Sequence, residues 1–168
     1  LEDAHKLFDA VSKSKAHFFL ILNYSGYPVV RNMRMLITND AIGKIRIVKG
    51  SYLQGWLGSK EEDTGLNKQA EWRTDPSRSG LAGSVGDIGS HTMHLIEFIT
   101  GLKLKSVCSD LTTFVPGRKL DDDASIMLRL NNDAKGSLSI SQIATGEENN
   151  FSISKKKKKG SLKWSQEN

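Results

Sequence analysis

A glycine-rich loop that leads into an amphipathic helix, residues 80–101, constrains this chain more than any other stretch. It reads GLAGSVGDIGSHTMHLIEFITG, and its early glycines permit tight turns and close approach by other groups. The apolar residues that follow recur at helical spacing, which predicts a helix that stops at Gly101. Asp87 and His91 stand four positions apart and are therefore expected to share one face of this helix, one turn from each other.

An aspartate one turn before a histidine is suited to proton transfer. The carboxylate can hold the imidazole tautomer and raise its basicity, as a general base requires. Three other interpretations stay open: Asp87 as an N-cap, His91 as a satisfied buried histidine, and Asp87, His91 and His94 as metal ligands. No other residue is an obvious fourth ligand, and we therefore predict no metal site. The glycine spacing is not that of a P-loop or a dinucleotide-binding turn.

Charge and hydropathy argue against several classes of function. The net charge of +5 results from a run of five lysines at 155–159, since the rest of the chain balances 19 basic against 19 acidic residues. No aromatic or arginine pattern accompanies the run, so nucleic-acid binding is not expected. No apolar run approaches the roughly 18 residues of a membrane span, and no basic-then-apolar leader is present. We therefore expect a cytoplasmic protein without membrane contact.

The one cysteine, Cys108, fits a reducing compartment. It falls in a predicted strand, where we expect it to pack and not to act as a nucleophile.

The apolar periodicity predicts an α+β fold, with an open, mostly antiparallel sheet that carries helices on one face. Helices are predicted at 1–14 and from Pro28 to 38. Strands are predicted at 17–22, 44–54, 104–115, 124–130, 137–143, 151–154 and 161–164. The lysine run is predicted to be a solvated loop. One face of the sheet is rich in Ser, Thr and Gln and is a candidate for subunit contact.

Several segments together resemble a known family. The order WRTDP, glycine-rich loop, DIGSH, with NYSGYP, YLQGW and LDDDA around it, resembles the C-terminal part of the glucose–fructose oxidoreductase/inositol dehydrogenase (Gfo/Idh/MocA) family of NAD(P)-dependent enzymes. The resemblance covers nearly the whole chain. It implies that residues 1–23 are the last helix and strand of a nucleotide-binding domain, and that residues 24–168 are a substrate and oligomerisation domain, cut short at its end.

The resemblance also implies roles for individual residues. His91 is expected to be the acid/base group and Asp87 its partner in orientation and charge. The family often has an acidic or amide residue where this chain has His94. The residues expected beside the substrate are Arg73, Trp72, Asn23, Tyr24 and His94.

The implied reaction is reversible hydride transfer between NAD or NADP and a secondary alcohol of a sugar or cyclitol. The family's Gly-x-Gly-x-x-Gly turn and Glu-Lys-Pro segment do not occur in this sequence. We therefore expect the chain to be inactive alone, because it lacks the main cofactor site. Arg73 is the candidate in this chain for a contact with the cofactor. The resemblance further implies a homo-oligomer formed through the sheet face. The alternative is a non-catalytic module that binds sugars or mediates oligomerisation.

Overall fold

The computed structural model describes residues 2–157 and 160–166. Five α-helices are described: α1 Glu2–Lys13, α2 Pro28–Thr38, α3 Lys68–Arg73, α4 Pro76–Ser79 and α5 Ser90–Thr100. Short 3-10 turns lie at Asn23–Gly26 and Glu61–Thr64, and a π turn, Val85–Gly89, precedes α5. The strands are β1 Ile45–Leu53, β2 Leu104–Thr112, β3 Asp123–Leu130, β4 Lys135–Ser141, β5 Asn150–Lys157 and β6 Ser161–Ser165.

The six strands form one sheet in the order β2-β3-β4-β1-β5-β6. The β1–β4 pair is parallel, and the four other pairs are antiparallel. This architecture confirms the predicted α+β fold with an open, mostly antiparallel sheet. The parallel pair matters for function because the chain leaves β1 and β4 at the same end of the sheet, where both run into polar segments.

The hydrophobic core lies between one face of the sheet and helices α2 and α5. Alternate residues of β3 are buried, as the sequence predicts: Ala124, Ile126, Leu128 and Leu130. Helix α5 contributes Leu95, Ile96 and Ile99, all fully buried. The helix comes very close to β1 at Gly50, where an added Cβ would lie 2.6 Å from the Cγ2 atom of Thr92. A residue without a side chain is needed for this approach.

The opposite face of the sheet is open and rich in serine. A shallow cavity of about 640 Å³ on this face has Ser51, Ser125, Ser139 and Ser152 in its lining. Cys108 is exposed here, so the prediction that it packs is wrong. Strand β2 lies at the edge of the sheet, and nothing in the described residues covers its outward face.

Strand β1 differs from its predicted pattern because it contains a bulge. Simple alternation along the predicted strand 44–54 would put Ile45 on the same face as Ile47 and Lys49. The register shifts between Ile45 and Ile47, so Ile45 is buried with Val48 while Ile47 is 38% exposed. A bulge adds one residue to one strand of a pair and thereby reverses the faces of the residues before it.

The lysine run is not a loop where the structure describes it. Strand β5 continues to Lys157, and its backbone pairs with β1 on one side and with β6 on the other as far as Lys156. The predicted solvated loop is therefore wrong for residues 155–157, because backbone pairing to two neighbours extends the strand regardless of side-chain charge. The remainder of the run, residues 158–159, lies outside the described residues.

None of residues 2–22 is buried, in contrast to most of the elements that follow them. Helix α1 is confirmed, but none of its residues is buried. The strand predicted at 17–22 is absent, although the segment is apolar, with Phe19 78% and Ile21 83% exposed. A strand needs a paired neighbour, and the described residues provide none for this segment. Among the helices of the described residues, none is long and apolar enough to cross a membrane.

Candidate active site

The helix that bears Asp87 and His91 is built in two parts. The π turn Val85–Gly89 leads into α5, which ends at Gly101 with φ 68°. The side chain of Asp121 caps the start of the π turn, since its carboxylate accepts hydrogen bonds from the N–H groups of Gly83 (2.7 Å) and Val85 (2.8 Å). Asp121 thus occupies the capping position that one interpretation of the sequence gave to Asp87, and that interpretation is wrong.

Asp87 is held by side chains from two remote segments. Its Oδ2 atom accepts a hydrogen bond from Nε of Arg73, at the end of α3, and another from Nε2 of Gln142, just after β4; both are 2.8 Å long. Gln142 is only 3% exposed, and its backbone N–H donates to the carbonyl oxygen of Asp122. The carboxylate is therefore fixed in position. Its Oδ2 atom accepts two hydrogen bonds, and its Oδ1 atom has no partner among the described residues.

Asp87 and His91 are near each other, but no hydrogen bond joins them in the described part of the chain. The π turn closes a bond from the N–H of Ser90 to the carbonyl oxygen of Val85, one residue wider than an α-helical bond. A spacing of four residues consequently does not stack the two side chains as it would in a regular α-helix. Burial lowers the pKa of the His91 imidazole, and the charge of Asp87 opposes this larger effect.

His91 has an unusual environment for a histidine. Its Nδ1 atom is buried and has no hydrogen-bond partner among the described residues. Burial holds the pKa of His91 below its usual value of 6.5, and the charge of Asp87 only partly offsets this effect. His91 is thus neutral near pH 7 and is not a satisfied buried histidine.

The ring of Tyr24 packs against the ring of His91. The two rings meet edge to face, with centroids 5.2 Å apart. The hydroxyl of Tyr24 shares a 2.5 Å hydrogen bond with that of Tyr52, and burial raises the pKa of Tyr52. Asn23 is exposed and does not line the cleft beside His91. Tyr24 does not line this cleft either; it is buried and contacts the ring of His91.

His91, Asp87 and Arg73 lie in the wall of an open cleft of about 440 Å³. The other residues that line it are Tyr52, Gln54, Trp56, Asn67, Gln69 and Ile88. Sequence reasoning did not single these residues out, although three of them lie in the YLQGW segment that contributed to the family resemblance. Gln142 was also missed, because an isolated glutamine at the end of a strand gives no signal in the sequence.

Trp72 lies on the far side of Arg73 from His91. It lines a second cleft, of about 400 Å³, whose wall contains small residues of the glycine-rich loop. Arg73 and Asp87 line both clefts, and their ion pair separates the two spaces. The guanidinium carbon of Arg73 lies 4.3 Å from the centre of the Trp72 ring, a cation–π distance that restricts the arginine.

His94 lies one turn beyond His91 and does not line either cleft. Its ring contacts that of Phe98, with centroids 5.9 Å apart, and burial together with the nearby His91 lowers its pKa. Within the described residues, no group of three or more His, Cys, Asp or Glu side chains is arranged to hold a metal ion. Asp87, His91 and His94 do not form such a group.

Comparison with known proteins identifies relatives over most of the chain. A family model described as the GFO/IDH/MocA C-terminal domain matches residues 30–161. A levoglucosan dehydrogenase from Pseudarthrobacter phenanthrenivorans is 27% identical over 171 residues, which cover 88% of this chain and 42% of that protein. The chain spans 36% to 44% of the length of the curated relatives that it matches.

Two solved structures share the fold. An oxidoreductase from Sinorhizobium meliloti is 39% identical with a TM-score of 0.81, over 98% of this chain and 42% of that one. An inositol dehydrogenase homologue from Azotobacter vinelandii, complexed with NAD+, is 26% identical with a TM-score of 0.81. That match covers 87% of this chain and 38% of the other.

Proposed function

The chain belongs to the GFO/IDH/MocA C-terminal domain family, and we propose that it is the substrate-binding, acid/base half of an NAD(P)-dependent oxidoreductase. The substrate is a secondary alcohol, or the corresponding ketone, of a sugar or cyclitol. Relatives named as a levoglucosan dehydrogenase and an inositol dehydrogenase homologue support this class of substrate. The observation that carries the proposal is a neutral histidine beside a fixed carboxylate at an open cleft.

His91 is the proposed proton acceptor during oxidation. A neutral imidazole can take the hydroxyl proton of the substrate, and the developing imidazolium is stabilised by the negative charge of Asp87. Arg73 and Gln142 hold that carboxylate in position, so its charge is already oriented when the proton moves. In the direction of reduction, the same imidazolium returns the proton to the carbonyl oxygen.

A bound nicotinamide would supply the hydride acceptor for the substrate carbon that bears the hydroxyl group. This sequence has no Gly-x-Gly-x-x-Gly turn to hold a pyrophosphate, so we assign dinucleotide binding to a nucleotide-binding domain in which residues 1–23 take part. The exposed apolar side chains in α1 and at 17–22 support that assignment, because an exposed apolar patch marks a contact surface. Residues 24–168 form the substrate domain in this proposal, and Arg73 is the contact from it that we expect nearest the nicotinamide.

The test uses the full-length protein that contains this chain. It is mixed with NAD+ or NADP+ and a panel of neutral sugars and cyclitols, and reduction of the nicotinamide is followed by absorbance. We expect turnover with at least one cyclic polyol. Tight binding of NADH to residues 1–168 alone would contradict the division into two parts, and a full-length protein that binds NADH but oxidises no alcohol would favour a non-catalytic module.

The pH dependence of the oxidation gives a second test. A group that must be neutral to accept a proton is active above its pKa and inactive below it. Since burial places the pKa of His91 below 6.5, kcat/KM for oxidation should be level at neutral pH and fall only in the acidic range. A fall that begins above pH 7 would indicate a different base.

A further inference from the structure

The cleft beside His91 carries no net charge. Arg73 and Asp87 are the charged residues in its wall, and they form an ion pair with a 2.8 Å distance between Nε and Oδ2. His91 adds no charge near neutral pH because burial lowers its pKa. The second cleft, behind the ion pair, has the same two charged residues in its wall. Neither cleft therefore offers a phosphate or carboxylate group an unpaired cation within the described residues.

The three amide side chains in the cleft are oriented by the protein. The side-chain oxygen of Gln54 accepts a hydrogen bond from Nε1 of Trp56 at 3.0 Å. That of Asn67 accepts from the N–H groups of Gln69 and Ala70, both at 3.2 Å, as the N-cap of α3. The Asn67 oxygen already accepts two hydrogen bonds, so the end of this amide left for a ligand is its NH₂ group, whereas the Gln54 oxygen keeps one lone pair.

Gln69 follows the same pattern. Its side-chain oxygen accepts hydrogen bonds from Nε1 of Trp72 and from Nη1 of Arg73. The NH₂ groups of Gln69 and Asn67 have no partner among the described residues, whereas that of Gln54 gives one hydrogen to Asn149. The cleft thus presents amide donors beside the ion-paired guanidinium of Arg73, and its acceptors include Oδ1 of Asp87 and the unprotonated nitrogen of neutral His91.

We propose that this cleft selects an uncharged polyhydroxylated ring and discriminates against sugars that carry a phosphate or carboxylate group. Ring and hydroxyl oxygens accept from the amide donors, and a hydroxyl group donates to Oδ1 of Asp87. An anionic substituent in either cleft would be desolvated next to the Asp87 carboxylate without a free cation, which is unfavourable. This inference deepens the proposed function and rests on it for the identity of the site.

The test measures binding to the full-length, cofactor-loaded protein by calorimetry, so that it does not depend on turnover. Matched pairs are compared: glucose with glucose 6-phosphate, glucose with glucuronate, and myo-inositol with its monophosphate. We expect each anion to bind at least about tenfold more weakly than its neutral partner at low ionic strength. Added salt should change this difference little, because the cleft carries no net charge and the cost to the anion is its desolvation.

Tighter binding of the anions than of their neutral partners would overturn the inference. If the anions bind more tightly, and if salt weakens their binding, a cationic group from elsewhere in the protein binds the anionic substituent. Absence of binding by every neutral compound would overturn it as well. Turnover is recorded separately: binding of neutral polyols without any nicotinamide reduction refutes the proposed oxidoreductase function and leaves the selectivity intact.

A variant of Asn67 separates ligand binding from stability. Asn67→Asp keeps an oxygen that can cap α3, since Asp and Asn cap equally well, but it removes the NH₂ donor and adds a negative charge. We expect neutral polyols to bind about tenfold more weakly, with the thermal unfolding midpoint unchanged. The matched control is Asp75→Asn, a change of the N-cap of α4 outside both clefts, which should not alter binding. Unchanged binding in Asn67→Asp would contradict the assigned donor role.

Discussion

The two faces of the sheet are formed by the same strands, but one is covered by helices and the other is open. On the covered face, Val48, Ile126, Leu138 and Ile153 are buried beneath the helices, and the cleft of His91 opens at the edge of this layer. On the open face, the alternate residues are mainly serines, with the exposed side chains of Met127 and Cys108 among them. Both faces follow from one alternating pattern, yet the titratable groups of the proposed reaction all belong to the covered side.

This difference shows where a sheet can support chemistry. A proton-transfer group needs a fixed position and partial removal from water, and both are provided by packing against helix α5. The open face has polar groups, but its serines are solvated and carry no charge to be oriented. A change on the covered face can therefore be compared with a matched change on the open face, as for His91→Ala and Gly50→Ala below.

The largest effect is expected from His91→Ala in the full-length protein. Loss of the acid/base group should lower kcat by about 100-fold or more, with little change in cofactor affinity. The control is Ser125→Ala on the open face, which should leave kcat unchanged. Steady-state kinetics with a neutral polyol and equilibrium binding of NADH provide the two measurements. If His91→Ala retains parental kcat, His91 is not part of the mechanism.

Gly50→Ala should destabilise the covered face. The new Cβ atom would lie 2.6 Å from Cγ2 of Thr92 and 3.0 Å from Cδ2 of Leu138, so α5 and β4 must shift. Overpacking of this kind lowers the free energy of unfolding by about 1–3 kcal/mol. Ser139→Ala, at an exposed position of β4, should change it by less than about 0.5 kcal/mol. Denaturant unfolding measures both, and equal stability of the two variants would show that α5 is not packed this closely.

Gln142→Met tests the position of Asp87. Methionine is similar in length to glutamine but cannot donate the 2.8 Å hydrogen bond to Oδ2. We expect kcat to fall about tenfold while KM changes little, because Asp87 would lose one of the two donors that orient its charge. A purely structural role would lower the unfolding midpoint and leave the pH profile unchanged. We therefore expect the acidic fall of kcat/KM to begin at a different pH in this variant. A fall at the same pH as in the parent would contradict the role of Gln142 in positioning Asp87.

The smallest effect on the single chain is expected from Met127→Lys on the open face. The side chain is already exposed, so the free energy of unfolding should change by less than about 0.5 kcal/mol. If the open face is the subunit contact, as the family resemblance implies, a buried lysine without a partner should favour the monomer. Light scattering of the full-length protein measures the change in mass. An unaltered mass would place the contact elsewhere.

The elements of the fold could largely be predicted from the sequence because they depend on local patterns. The alternation of β3 predicted its buried face, and Pro28 predicted the first residue of α2. The failures occurred where a distant partner decides the outcome. Residues 17–22 have the composition of a buried strand but find no neighbour to pair with in the described part of the chain, whereas Lys155 and Lys156 pair on both sides despite their charge.

The sequence by itself determined the family, most strands of the sheet and the histidine that we propose moves the proton, since these are recorded in local spacing and in the identity of motif residues. Only the tertiary structure decided what Asp87 contacts. Its partners Arg73 and Gln142 lie 14 and 55 positions away, and the π turn directs the carboxylate toward them. Hydrogen-bond partners of this kind are set by how strands and loops meet in space, and no local pattern contains that information.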